Sequence, residues 1–276
     1  MQNSPTVQIY DSARQGSAAI DELKEIIRYR DLILQIVRRD ILTRYKRSVL
    51  GVAWTMLNPL GIMLVLTIAF SQAFGTTRGY AAYLLSGLIA WTFFSQTTNA
   101  AISHLVWGGG LLKRIYVPRT VFAFSAIGTG LVNLFFSVIP LVIVMLFTGV
   151  PLRWTLVFLP VPILFLAVFS LGLGLLISAV AVYFADVAEM YQIVLTAWMY
   201  LSPVIYPESI LPETYRTWIA IFNPMYHLIR LFRMPIYDGV IPPLSEILLT
   251  GAICLGTLLF SWIFFTRKAD EFAYRI

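Results

Sequence analysis

The chain has 276 residues, 59% hydrophobic and 12% charged, whereas a soluble domain carries about 25% charged residues; a membrane class follows before any motif is read. Its net charge of +6 at pH 7 does not argue for nucleic acid, because basic residues beside apolar segments are what cytoplasmic membrane loops carry. The lone cysteine, Cys254, excludes an intrachain disulfide.

In chain order, residues 1–27 hold no apolar core followed by a small-residue cleavage site, so they read as a flexible extension with a cytoplasmic N-terminus and no signal peptide. Within residues 28–47, Leu32, Ile33, Ile36, Val37, Ile41 and Leu42 recur at helical spacing among Arg38, Arg39, Arg44 and Lys46. That pattern predicts an amphipathic helix on the inner membrane surface, with a solvated juxtamembrane helix as the other reading. From residue 48 onward, stretches without Asp, Glu, Lys or Arg cover 48–77, 79–112, 120–152, 154–185, 190–207 and 247–266. About 20 apolar residues cross a bilayer as a helix, and lipid offers no partner to an open strand. The expectation is an all-α integral membrane protein with six spans in 48–276.

Two connections break this pattern. In 108–119, Gly108, Gly109 and Gly110 end a helix, and Leu111, Leu112, Lys113, Arg114, Ile115, Tyr116 and Val117 form a short cytoplasmic knob before Pro118 and Arg119. A partner contact and a simple basic anchor fit that spacing equally. Residues 202–233, with Pro203, Tyr206, Pro207, Pro212, Asn223 and Pro224, are too broken for one span and too apolar for a solvated loop. Two short re-entrant helices dipping into the outer leaflet before the last span would satisfy the backbone.

Fifteen of the 20 Lys and Arg residues fall on the side that holds both termini and the knob, which places that side in the cytoplasm. The helices carry almost no ionisable group. His104 and His227 lie at opposite predicted ends with no Cys or carboxylate cluster at ligand spacing, so no metal site is expected. Asp186 and Glu189 read as a solvated hairpin. There is no G-x-x-x-x-G-K-[ST] phosphate loop and no buried carboxylate of the kind ion-coupled carriers use. Transport would therefore need a motor on another chain, and the chain is not expected to be an enzyme.

Thr92, Gln96, Asn99 and Ser103 recur at three- and four-residue steps on the second span, and Trp54 and Asn58 share a face of the first. Tyr191 and Trp198 lie seven residues apart on the fifth. Helix packing and an interfacial aromatic belt account for such residues, and so does a path for sugar rings, whose faces are apolar and whose hydroxyls are not. Trp54, Asn58, Gln96, Asn99, Tyr191 and Trp198 are the candidates for that path.

The junction Arg44, Tyr45, Lys46, Arg47, Ser48, Val49, Leu50, Gly51, Val52, Ala53, Trp54, continuing to Asn58 and Pro59, resembles the passage from interfacial helix into span one of ABC-2 type permease subunits that export lipid-linked polysaccharides (O-antigen, capsule, teichoic acid). The loop from Lys113 to Arg119 is similar to that family's basic-aromatic-Pro-Arg loop, and Ser202 to Pro207 with Asn223, Pro224 and Met225 and the stretch from Leu228 to Arg233 is a third match. The resemblance implies a homodimer in the bacterial cytoplasmic membrane, with two copies of a nucleotide-binding subunit that holds ATP and Mg, and no cofactor in this chain. It makes Leu111 to Val117 a coupling helix. It makes residues 28–47 a gate, with Arg38, Arg39, Arg44, Tyr45, Lys46 and Arg47 near membrane lipid and the substrate's phosphates, where the planar donors of Arg suit the task. The alternatives are an ABC-2 exporter of drugs or simple lipids, an intramembrane transferase and a passive anchor.

Overall fold

A backbone in lipid must bond to itself, and the computed structural model, which describes residues 18–46, 50–51, 53–74, 78–106, 117–184 and 186–268, contains helices and turns with no strand among those residues. The helices are α1 (Ala18–Arg28), α2 (Arg30–Tyr45), α3 (Ala53–Ala69), α4 (Ser71–Phe74), α5 (Tyr80–Val106), α6 (Thr120–Phe147), α7 (Pro160–Tyr183), α8 (Val187–Leu201), α9 (Glu213–Phe222), α10 (Pro224–Arg233) and α11 (Leu244–Lys268). Among the described residues, three runs are both long and apolar enough to cross a membrane: Thr120–Phe147, Trp154–Tyr183 and Leu244–Lys268. Of the other charge-free stretches, α5 is 27 residues long but dilutes its apolar residues with Ser, Thr, Gln and Asn. Helices α3 and α8 are shorter, at 17 and 15 residues.

Helix α5 is the pillar. It packs on α3, α6, α7, α8 and α10, while α11 lies along α7. Its Leu84, Leu85 and Phe94 are fully buried, and Phe94 meets Phe169 of α7 at a ring separation of 5.7 Å. The outward faces carry apolar side chains instead: on α6, Phe135 is 70% and Phe147 86% exposed. A surface of this kind would aggregate in water and is solvated by acyl chains.

Residues 18–27, read from sequence as part of a flexible extension, lie in α1, whose Ile26 finds a buried seat and whose Glu22 accepts a hydrogen bond from Thr120 Oγ1 at 2.8 Å. Tyr29 breaks the chain direction before α2 (φ −95°, ψ 17°). Ile36 of α2 packs with Val117, Val121 and Phe122 at the start of α6, and Leu32 and Ile33 lie against that cluster. The apolar stripe of α2 is thus spent largely on protein, with Leu42 left outside.

In the segment 202–233, turns and a short 3₁₀ turn (Glu208–Ile210) lead into α9 and α10, and a π turn (Met234–Asp238) ends on the left-handed Gly239 (φ 66°). Asn223 caps α10: its Oδ1 accepts from Met225 N at 3.0 Å, with Pro224 in the first turn where no amide is needed.

Close helix contact depends on Gly172 of α7. A Cβ there would lie 2.9 Å from Leu258 Cα of α11, a backbone atom that no side-chain rotation can move. Gly172→Ala is expected to destabilise the fold by about 1–3 kcal/mol, read as a lower melting temperature in detergent. Gly61→Ala, where nothing lies within 4 Å, serves as control; equal melting of the two variants would remove the packing argument.

Candidate functional site

Polar helices survive in a bilayer when their hydroxyls bond back to their own carbonyls, and α5 does this. Ser86 donates to Tyr83 O at 2.7 Å, Thr97 to Phe93 O at 2.7 Å and Thr98 to Phe94 O at 2.9 Å. Thr92 and Gln96 face elsewhere. Together with Trp54 and Asn58 of α3, Asn133 of α6 and Arg44 at the end of α2, they line a cleft of about 280 Å³ between α3, α5 and α6.

Pro59 shapes one wall. Lacking an amide hydrogen, it leaves the carbonyl of Thr55 four residues earlier without its helical donor, and Ser137 Oγ of α6 donates to that oxygen at 3.4 Å. Trp54 remains 54% exposed at the rim. The result is a trough whose polar groups are neutral amides and hydroxyls, one indole and one guanidinium, set among the apolar side chains of Pro59, Ile89, Phe93 and Leu134. It can hold a hydroxyl-rich ligand through many weak hydrogen bonds and cover an apolar ring face.

A second cavity of about 380 Å³ shares Arg44 and adds Asp40, Thr43, Ala100, His104 and Thr129. His104 Nε2 stands 3.4 Å from Asp40 Oδ2, and Arg39 donates twice to Asp40 Oδ1, at 3.1 and 2.9 Å. Arg38 and Lys46 are exposed. The Tyr45 side chain and Arg47 lie outside the described residues.

Of the six path candidates, Trp54, Asn58 and Gln96 converge on the cleft. The other three sit along the seam between α5 and α8. Asn99 accepts from Gln192 Nε2 at 2.8 Å, Tyr191 donates to Thr98 Oγ1 at 2.9 Å, and Trp198 Nε1 donates to Asn223 Oδ1 at 2.8 Å. Trp198 also meets Phe94 edge-on at 5.3 Å. Asn133 was missed from the sequence, although an amide in the middle of a charge-free span was the available signal. Leu111 to Tyr116 lie outside the described residues, and Val117 is buried against Ile36.

At the other end, the sequence reading took Arg233 as one of the few charges away from the cytoplasmic side and as the last residue of the broken segment 202–233. The structure buries it to 4% exposure. Its Nη1 donates to Tyr83 OH at 2.7 Å and Pro203 O at 2.9 Å, its Nη2 to Val204 O at 3.2 Å, and its guanidinium lies 3.7 Å above the Tyr83 ring. Gly87 makes room, since a Cβ there would stand 2.3 Å from Arg233 Nη2. Tyr80 and Tyr83 donate to Ile205 O and Tyr206 O at 2.9 and 3.0 Å, and Tyr206 OH donates to Tyr200 O at 3.1 Å. Pro203 and Pro207 are buried in the same turn. A cavity of about 260 Å³ beside Arg233 is lined by Glu208, Arg230 and Asp238 as well. Burial pushes the Asp238 carboxyl above the usual carboxylate range, against the pull of Arg233.

Residues 31–237 match the family model described as ABC-2 type transporter. The chain belongs to that family. Among curated relatives, an O-antigen export system permease protein, RfbA, of Myxococcus xanthus is 28% identical over 257 residues, 92% of this chain and 98% of the relative. The polysialic acid transport protein KpsM of Escherichia coli is 25% identical over 207 residues, covering 74% of this chain and 80% of its own. The capsule polysaccharide export inner-membrane protein CtrC of Neisseria meningitidis is 25% identical over 216 residues, covering 76% and 81%. This ABC-2 chain is therefore a multi-pass membrane transport protein, and the cleft and the Arg233 knot both lie inside the matched region.

Because the Arg233 knot needs both the guanidinium and the gap at Gly87, Gly87→Ala and Arg233→Lys are each expected to lower stability by about 1.5–3 kcal/mol, the range for hydrogen bonds to a charged group. Thermal unfolding in detergent reads this. Wild-type melting in both variants would mean the knot contributes nothing.

Proposed function

We propose that this chain is the membrane subunit of an ATP-driven exporter that moves lipid-linked polysaccharide out of the cytoplasm. The observation that carries the reading is the set of relatives, permease, transport and export proteins named for O-antigen, polysialic acid or capsule. The cleft's chemistry supports the same cargo: a sugar chain asks for weak, repeated neutral contacts, and Trp54, Asn58, Thr92, Gln96 and Asn133 are neutral.

In this reading two copies of the chain assemble with two copies of an ATP- and Mg-binding subunit. Helices α3, α5, α6, α7, α8 and α11 are the six spans, and α9 and α10 form a re-entrant cap at the outer face. Both termini and the loop 108–119 face the cytoplasm, following the bias of Lys and Arg. Residues Leu111 to Val117 couple to the ATPase, and Arg38, Arg39, Arg44, Lys46 and Arg47 meet the phosphates of the incoming lipid. Arg44, at the junction of the two cavities, would guide the sugar next to that phosphate toward Asn58 and Gln96. Tyr191 and Trp198 then act by holding α8 in place, through Thr98 and Asn223.

Two experiments test this. Replacing Asn58 or Gln96 with Ala is expected to lower export by about two- to tenfold, the equivalent of one lost hydrogen bond each, measured as surface polymer against cytoplasmic lipid-linked polymer; unchanged export would exclude the cleft from the path. Replacing Arg114 and Tyr116 with Ala is expected to reduce copurification of the ATPase and its stimulation by this chain. Intact assembly and stimulation would reject the docking role.

A further inference from the structure

Helix α9 is 10 residues long and buries none of its side chains. It packs on α10, and His227 of α10 bridges it to the last span: Nε2 lies 2.7 Å from Ala220 O, and Nδ1 lies 3.4 Å from Glu246 Oε2. The bridge fastens the end of α9 and leaves a groove beside it. Arg216, Thr217, Ala220 and Ile221, at i, i+1, i+4 and i+5, give one wall, while Leu249 and Ile253, one turn apart on α11, give the other. Tyr226 and His227 close the back of a space of about 590 Å³, a volume within the range of small-molecule sites.

Ala220, Ile221, Leu249 and Ile253 offer water no hydrogen bond, and water settles in a cavity only where several polar groups hold it. The polar groups at the back are engaged elsewhere: Tyr226 OH donates to Glu208 Oε2 at 3.0 Å, and Glu246 Oε1 lies 3.0 Å from Arg230 Nη1. Arg216 is the exception. Its ion pair with Glu213 is 3.7 Å long and the Glu213 side chain is 90% exposed, so the guanidinium is held loosely. The same two helices expose Trp218, Phe222, Leu248 and Leu255, a surface suited to acyl chains rather than water. An aliphatic groove in lipid with a cation at its edge fits a phospholipid, since planar guanidinium donors match phosphate oxygens. The groove shares no residue with the cleft between α3, α5 and α6.

We propose that the groove between α9, α10 and α11 binds one anionic phospholipid, with its phosphate on Arg216 and one acyl chain between Ile221 and Leu249. The lipid acts as a wedge that sets the distance of α9 from the last span. The proposal rests on the reading of α9 and α10 as a cap at the outer face, which makes this a lipid of the outer leaflet, and it requires nothing of the cargo.

The test titrates the full chain in detergent micelles with phosphatidylglycerol and with phosphatidylethanolamine, counting bound lipids by native mass spectrometry. Phosphatidylglycerol is expected to bind about fivefold more tightly, the worth of one cation near an anionic lipid, and Arg216→Gln is expected to remove that preference. Equal binding to the unaltered chain, or a preference that survives Arg216→Gln, would overturn the site. Leu249→Trp, at an exposed position, is expected to fill the groove and abolish the tightest-bound lipid of either kind. A lipid that survives Leu249→Trp lies elsewhere, and a dimer that this variant splits has a second copy in the groove; either result rejects the proposal. Should Leu249→Trp fail to fold, the unaltered chain and Arg216→Gln decide. Glu213→Cys separates the site from the cap reading. Cys254, the sole cysteine, is 1% exposed, so a membrane-impermeant maleimide added to intact spheroplasts should label position 213 alone. Labelling without a lipid preference removes the site and keeps the cap, whereas labelling that waits for lysis puts α9 on the inner side and removes both.

Discussion

Lipid offers no hydrogen bond, and the architecture follows from how α5 meets that constraint. The helix that is most enclosed by its neighbours is also the one richest in hydroxyls and amides. Ser86, Thr97 and Thr98 fold onto their own carbonyls, which lets apolar neighbours close around them at little cost. Thr92 and Gln96 escape that fate because α3 and α6 stand away from α5 there and leave a trough. The cleft is therefore a place where the central helix keeps polar groups that its other faces have neutralised.

The two ends of the bundle are held by different forces. Around Arg233, directional bonds fasten Ser86, Tyr83, Pro203 and Val204 into one unit, and Asn223 joins α8, the following turn and α10 through both atoms of its amide. A buried guanidinium is tolerated only when its donors are occupied, so this end is specified in geometry as well as in composition. At the end bearing α1 and α2, the apolar cluster of Ile36, Val117, Val121 and Phe122 is joined by the Thr120–Glu22 hydrogen bond and the His104–Asp40 pair.

Pro59 and Gly172 show how single residues set the spacing between helices. The missing amide of Pro59 leaves a carbonyl for Ser137, tying α3 to α6 across the cleft, while the absent side chain of Gly172 lets α7 and α11 touch at the backbone. One residue holds helices together around a gap; the other removes a gap. Small residues and satisfied carbonyls replace the hydrophobic effect as the means of helix association in lipid.

Composition and charge spacing alone determined that this is a helical membrane protein, because burying charge in hydrocarbon is costly enough to be visible residue by residue. The convergence of Trp54, Asn58 and Gln96 was legible for the same reason, since polar residues in an apolar span need a purpose. The helix α1 was readable too, in the spacing of Ile20, Leu23 and Ile27, but the charges of Asp21, Glu22, Lys24, Glu25 and Arg28 masked it as a flexible tail. Tertiary structure alone decided that Asn133 joins the cleft, that Asn99 and Tyr191 bond across the α5–α8 seam while Trp198 bonds Asn223, and that Arg233 turns inward. Those outcomes depend on which helix faces which and on a glycine 146 positions away at Gly87. Periodicity along one helix reports a face, and what lies opposite that face is a property of the packed whole.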